Sequence, residues 1–116
     1  MTSLLEGEVT LTLGRDTFVL RPTLNAFMQL PRLYAGYVPL IQRLAAQDVE
    51  AMVSTIRVGA NLSGRAAEIV PKRIFEAGIT GELVGALIKY VDVMANGGRA
   101  RSDEPALEPE EDQGNG

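Results

Sequence analysis

The sequence predicts an α+β fold, with an N-terminal β-hairpin packed on a bundle of four to five helices and a disordered acidic tail behind it. Three observations carry this expectation. Val9, Leu11 and Leu13 alternate with Thr10 and Thr12 ahead of a glycine turn, a period of two. Between Pro22 and Gly98 the apolar residues recur at helical spacings between Pro and Gly punctuation. After Gly98 large apolar side chains nearly vanish and acidic residues take over. At 116 residues the chain is long enough for one core, so a single domain over 8–98 is expected, between a flexible N-terminus at 1–7 and the tail at 99–116.

Taken in order, Glu8–Arg21 reads as the hairpin. Gly14-Arg15-Asp16 is its turn and Thr17–Arg21 its return strand, with Phe18 and Leu20 sharing the apolar face of Leu11 and Leu13. Pro22 ends the second strand. Thr23 then caps a helix with Leu24, Phe27 and Met28 on its apolar face. Pro31 is expected to break or kink that helix near Leu30 unless a second short segment starts there. Gly36-Tyr37-Val38-Pro39 reads as a loop, with Pro39 in the first turn of a helix whose stripe is Leu40, Ile41, Leu44 and Ala45.

Asp48 is the cap of a third helix. Its core face is expected from Val49, Met52, Val53, Ile56 and Ala60, with Asp48, Glu50 and Arg57 toward solvent. After the loop Asn61–Gly64 a fourth helix spans about 65–77, with Pro71 starting its main part or kinking it and Gly78 ending it. Thr80 caps the fifth, with Glu82 in its first turn. Leu83, Val84, Leu87, Ile88, Val91, Met94 and Ala95 make a stripe broad enough for a central core helix, stopped by Gly97-Gly98.

Composition excludes whole classes of chemistry. The chain has no His and no Cys, so a Ser-His triad, an imidazole base or ligand, a thiol nucleophile and a zinc-thiolate site are all out of reach. The carboxylates Asp16, Asp48, Glu50, Glu68, Glu76, Glu82 and Asp92 form no acid–base or metal-binding motif and read as solvated surface. The glycine turns lack phosphate-cradling spacings. No catalytic, cofactor-binding or metal-binding residue is therefore expected, and no cofactor. No apolar run approaches a membrane span, and the N-terminus lacks the pattern of a secretory signal, so the expected location is the cytoplasm.

The net charge of -4 has a location. Residues 1–98 hold nine basic and nine acidic side chains, whereas residues 99–116 hold two and six. The overall acidity is thus a poor guide to what the domain binds. A helix-turn-helix reading of Ile74–Val91 remains as a minor alternative. It is poorly supplied, because the second helix offers only Glu82, Lys89 and Asp92, and Arg65, Lys72 and Arg73 make the one small basic patch.

Two features point to partner contacts. A short, Thr-rich hairpin leaves strand edges that a second copy or an extended partner segment could pair, unless the chain's own helices cover them; this places Val9, Leu11, Leu13 and Phe18 in a candidate contact region. Tyr34 and Tyr37 flank a glycine and read as packing residues or as amphipathic interface anchors.

The segment Gly7–Leu13, Phe18–Arg21 and Thr23–Leu30, with the later Val49–Gly59 and Leu83–Ala95, resembles the small tail protein of gene transfer agents and related tailed phages, over roughly residues 5–98. The family is described as a tail assembly chaperone and also as a tail tube protein. The resemblance implies a non-enzymatic morphogenesis factor in the bacterial host cell that binds tape-measure protein and tail tube subunits; a homo-oligomer is a further possibility offered by the hairpin edges alone. The sequence departs from that pattern at Pro31, where the family's first helix continues into acidic residues.

Overall fold

A computed structural model describes residues 7–98. The expected N-terminal arm up to residue 6 and the expected tail at 99–116 lie outside the described residues.

The alternating segment forms β1 (Val9–Leu13), which pairs antiparallel with β2 (Asp16–Leu20). The register sets Leu13 opposite Asp16, so the turn is the two-residue Gly14-Arg15 and Asp16 already belongs to the strand. Gly14 takes a φ of 63°, the left-handed conformation this tight connection requires and a side chain resists. Six helical segments follow: α1 (Leu24–Tyr34), α2 (Tyr37–Ala45), α3 (Val49–Gly59), α4 (Gly64–Glu68), α5 (Val70–Ala77) and α6 (Gly81–Ala95). The fold is α+β, an N-terminal hairpin on a helical bundle. The one helix expected over 65–77 is broken at Ile69 into α4 and α5, with Pro71 in the first turn of α5, where its missing N–H costs nothing.

The caps are those the sequence offers. Thr23 Oγ1 accepts from Ala26 N, Asp48 Oδ1 from Glu50 N and Ala51 N, and Thr80 Oγ1 from Leu83 N. The helix α6 is the centre of the bundle, touching α2, β1, α3 and α1, while β1 also lies on α5 and β2 on α3. Its buried face includes Tyr90 and Val93 beyond the expected stripe, and Ala95 is exposed. Tyr90 is fully buried, and its hydroxyl donates to Arg21 O at 2.6 Å. Arg21 N in turn donates to Gly59 O at 2.9 Å, so the end of the hairpin is tied to both α3 and α6.

Three expectations about helix faces are corrected. The stripe Leu24, Phe27 and Met28 is not the core face of α1; Ala26 and Leu30 are, both at 0% exposure. Val49 is exposed, and α3 buries Ala51, Thr55 and Gly59 beside Met52, Val53 and Ile56. Small residues here let α3 approach its neighbours, which a search for large apolar side chains passes over. Arg57 is half-buried rather than solvated, because its Nε donates to Ala67 O at 2.7 Å and ties α4 back to α3.

The helix α1 also runs through Pro31 to Tyr34. A proline there cannot donate to the carbonyl four residues back, that of Phe27. The Tyr37 hydroxyl donates to this same oxygen at 2.8 Å. That bond requires Tyr37 to sit close to α1, which explains why Gly36-Tyr37 is not a slack loop: Gly36 caps α2 and Tyr37 is its first residue.

Candidate partner-binding surface

Val9, Leu11, Leu13 and Phe18 all lie on the inner face of the hairpin, between 3% and 8% exposed, together with Leu20. Strand alternation delivers them to the core, where they pack against the helices. The hairpin therefore presents its threonines and its backbone outward. Residues flanking a two-residue connection form a hydrogen-bonded pair, and the pairs alternate from there. The peptide groups of Thr10 and Thr12 consequently point to the outer edge of β1. A groove of about 370 Å³ runs beside that edge, bounded across from it by Gly78, Thr80, Glu82 and Ala86.

Tyr34 closes α1, half-buried against the core, with the Arg43 guanidinium 4.8 Å from its ring centre. Arg43 also pairs with Asp48 at 3.0 Å. Arg43 is the main reason the Asp48 carboxyl sits below its ordinary range, the capped amides adding to it. Tyr37 is half-buried, with its ring 5.8 Å from that of Phe27. Burial pushes its phenol upward, since the phenolate would lose water, so the hydroxyl stays a donor to the Phe27 carbonyl. Tyr37 thus braces the outward face of α1 at Phe27.

That face is the surface the sequence reading missed. Leu24 is 76% exposed, Met28 48% and Phe27 38%, and Val38 at the start of α2 is 65% exposed. On a helix, residues four apart lie on one ridge. Leu24, Met28 and Arg32 are such a ridge on the outside, and Ala26 and Leu30 are another on the core side. The available signal was that α1 carries apolar residues on two sides and only one charge, Arg32, too many for a helix with a single buried stripe. Beside the stripe, Pro22, Leu24, Phe27, Met94, Gly97 and Gly98 line a hollow of about 320 Å³.

A second apolar patch lies on the other helices. Phe75 is 86% exposed, and Val49 and Ile79 border it over a hollow of about 290 Å³. The basic cluster Arg65, Lys72 and Arg73 does not act as one: Arg73 is engaged by Asp16 and by Glu76, and Asp16 foremost holds its guanidinium more firmly protonated. Among the described residues no helix is long and apolar enough to cross a membrane, and no group of acidic side chains is placed to hold a metal ion. No protein-family model, curated protein or solved structure matches this chain.

Proposed function

We propose that this protein is a non-enzymatic tail assembly chaperone of the phage and gene-transfer-agent type, acting in the cytoplasm of the host cell. Its partners are the tape-measure protein and tail tube subunits, and its working surface is the outward face of α1. The observation that carries the reading is the exposed stripe Leu24, Phe27 and Met28. Such a face, nearly free of charge, is suited to the apolar side of a partner helix. Covering one Leu or Met side chain fully contributes about 1.5–3 kcal/mol, so a stripe of this size supports reversible rather than permanent capture.

Two other readings fit less well. A tail tube subunit needs an extended or closed sheet, and the described residues hold one two-stranded sheet. A helix-turn-helix needs its second helix free to enter a groove, whereas α6 is enclosed by α2, β1, α3 and α1.

Co-expression with a tape-measure protein tests the reading. The full chain should keep that protein in the soluble fraction and co-purify with it, and Leu24→Glu or Met28→Glu should abolish both while the circular dichroism of the variant is unchanged. Equal solubility with and without the chain, or undiminished capture by both variants, would refute it. Finding the chain retained in purified particles by mass spectrometry would instead favour a structural tail component.

A further inference from the structure

We infer that this chain forms a homodimer through α5, two copies packing antiparallel about a two-fold axis with the Phe75 ring of each seated in the apolar hollow of the other. The contact goes beyond the proposed function and uses neither the α1 face nor the hairpin edges. Shape and charge select a second copy as the occupant, and area sets the strength of the contact.

The helix α5 turns Val70 and Ile74 into the core and leaves Lys72, Phe75 and Glu76 outside. Phe75 is 86% exposed, more than any other large hydrophobic side chain among the described residues. Beside it lies the hollow of about 290 Å³ formed with Val49, Pro71, Ile74, Gly78 and Ile79, and no charged side chain lines it. A cavity of about 150 Å³ is enough to hold a benzene ring. Knob and hollow are therefore neighbours on one surface, and a two-fold axis passing between them lays each ring over the partner's hollow. The surface supplies both halves of its own contact.

The charge along the outer side of α5 changes sign. Lys72 precedes Glu76 by one turn and has no ion-pair partner among the described residues. Glu76 takes Arg73 Nη1 at 2.9 Å through Oε1, and its carboxylate stays exposed. An antiparallel pair of α5 helices brings Lys72 of each copy toward Glu76 of the partner subunit, opposite charges at both ends of the contact. Around the patch Lys72 and Arg73 stand with Glu50 and Glu76, so no field of a single sign opposes a second copy.

A phenylalanine this exposed has about 150–200 Å² to cover. Two such rings, with Val49 and Ile79 of each copy at 42% and 39% exposure, stay below the roughly 1,200–2,000 Å² of a stable interface. The dimer is accordingly transient, with a Kd on the order of 10–100 µM.

Sedimentation equilibrium of the full chain from about 5 µM to about 500 µM brackets that constant. The mass should rise from 12.5 kDa toward twice that value and no further. Phe75→Ser should weaken the dimer at least tenfold. Its circular dichroism should not change, because the ring lies outside the core. Lys72→Glu should weaken the dimer about two- to fivefold, and adding Glu76→Lys to it should restore the association. Leu24→Glu should leave the dimer unchanged. A monomer at every concentration, assemblies larger than a dimer, or a dimer indifferent to Phe75→Ser would overturn the proposal. Failure of the charge exchange to restore association would overturn the antiparallel contact, and loss of the dimer in Leu24→Glu would place it on α1 instead. Only this chain enters the measurement, so its failure leaves the co-expression test of the α1 face untouched.

Discussion

Replacing Tyr37 by Phe removes one oxygen and leaves in place a ring 5.8 Å from that of Phe27. The lost bond is the 2.8 Å donation to Phe27 O, the carbonyl that Pro31 cannot serve. A net hydrogen bond of this kind contributes about 0.5–1.5 kcal/mol, and the bond lies at the surface, so about 0.5–1 kcal/mol is expected. The diagnostic is a second background. Pro31→Ala supplies an N–H that reaches the same carbonyl, so Tyr37→Phe should then cost about 0.3 kcal/mol or less, a coupling of about 0.5 kcal/mol. Pro31→Ala alone should stabilise by about 2 kcal/mol, the relief of roughly 3 kcal/mol of helix penalty less the roughly 0.4–1 kcal/mol of entropy that proline removes from the unfolded chain. Urea unfolding followed by far-UV circular dichroism reads these differences as midpoint shifts of roughly 0.3–1 M for Tyr37→Phe and roughly 1–2 M for Pro31→Ala, for slopes of about 1–2 kcal/mol/M. If Tyr37→Phe costs the same in both backgrounds, the hydroxyl is not the substitute donor and the account of α1 passing through Pro31 fails.

Gly59→Ala should destabilise the fold. Its Cβ would come within 2.9 Å of Tyr90 Cε2 and 3.2 Å of Leu20 Cβ, and the Tyr90 ring is held by its 2.6 Å bond to Arg21 O. Overpacking of about 1–3 kcal/mol exceeds the roughly 0.5–1 kcal/mol gained from replacing a helical glycine. Calorimetry should show a melting temperature lowered by several degrees, and an unchanged or raised one would contradict the packing. Asp48→Asn keeps a good cap but loses the charge. Because the Asp48 carboxyl is held below its ordinary value of 3.8, its contribution is complete above that value and disappears as pH falls through the lower folded-state value. The wild-type protein should therefore lose more stability on acidification below about pH 5 than Asp48→Asn does. Parallel acid profiles for the two proteins would exclude this linkage.

Much of the fold was legible because its signals are local. The alternation of Val9, Leu11 and Leu13, the caps at Thr23, Asp48 and Thr80, and the long stripe of α6 each depend on neighbours within a few residues. What escaped depends on contacts distant in sequence. Nothing near Pro31 announces that a tyrosine six residues on will complete its helix, and nothing near Tyr90 announces that its hydroxyl will find Arg21 O across 69 positions. The candidate surface was half legible for the same reason. Leu24, Phe27 and Met28 stand out as one apolar face, but periodicity cannot say whether that face looks inward, and Ala26 and Leu30 took the core side because α1 approaches its neighbours closely there. The hairpin residues Val9, Leu11, Leu13 and Phe18 were correctly read as sharing a face, and that face is covered by the chain's own helices.

Arg21 gives its N–H to Gly59 O and its C=O to the Tyr90 hydroxyl, so both of its backbone groups are held by helices on either side of it. Local opening of the hairpin therefore cannot proceed without disturbing α3 and α6, and the amides of β2 should exchange with solvent as slowly as those of α6, as one cooperative unit. The residue also stands just before Pro22 and Thr23, where α1 begins. The outward face of α1 thus begins beside a joint that is tied to both α3 and α6. A partner that binds there meets a surface already in its final orientation, and little of the binding energy is lost to ordering the host.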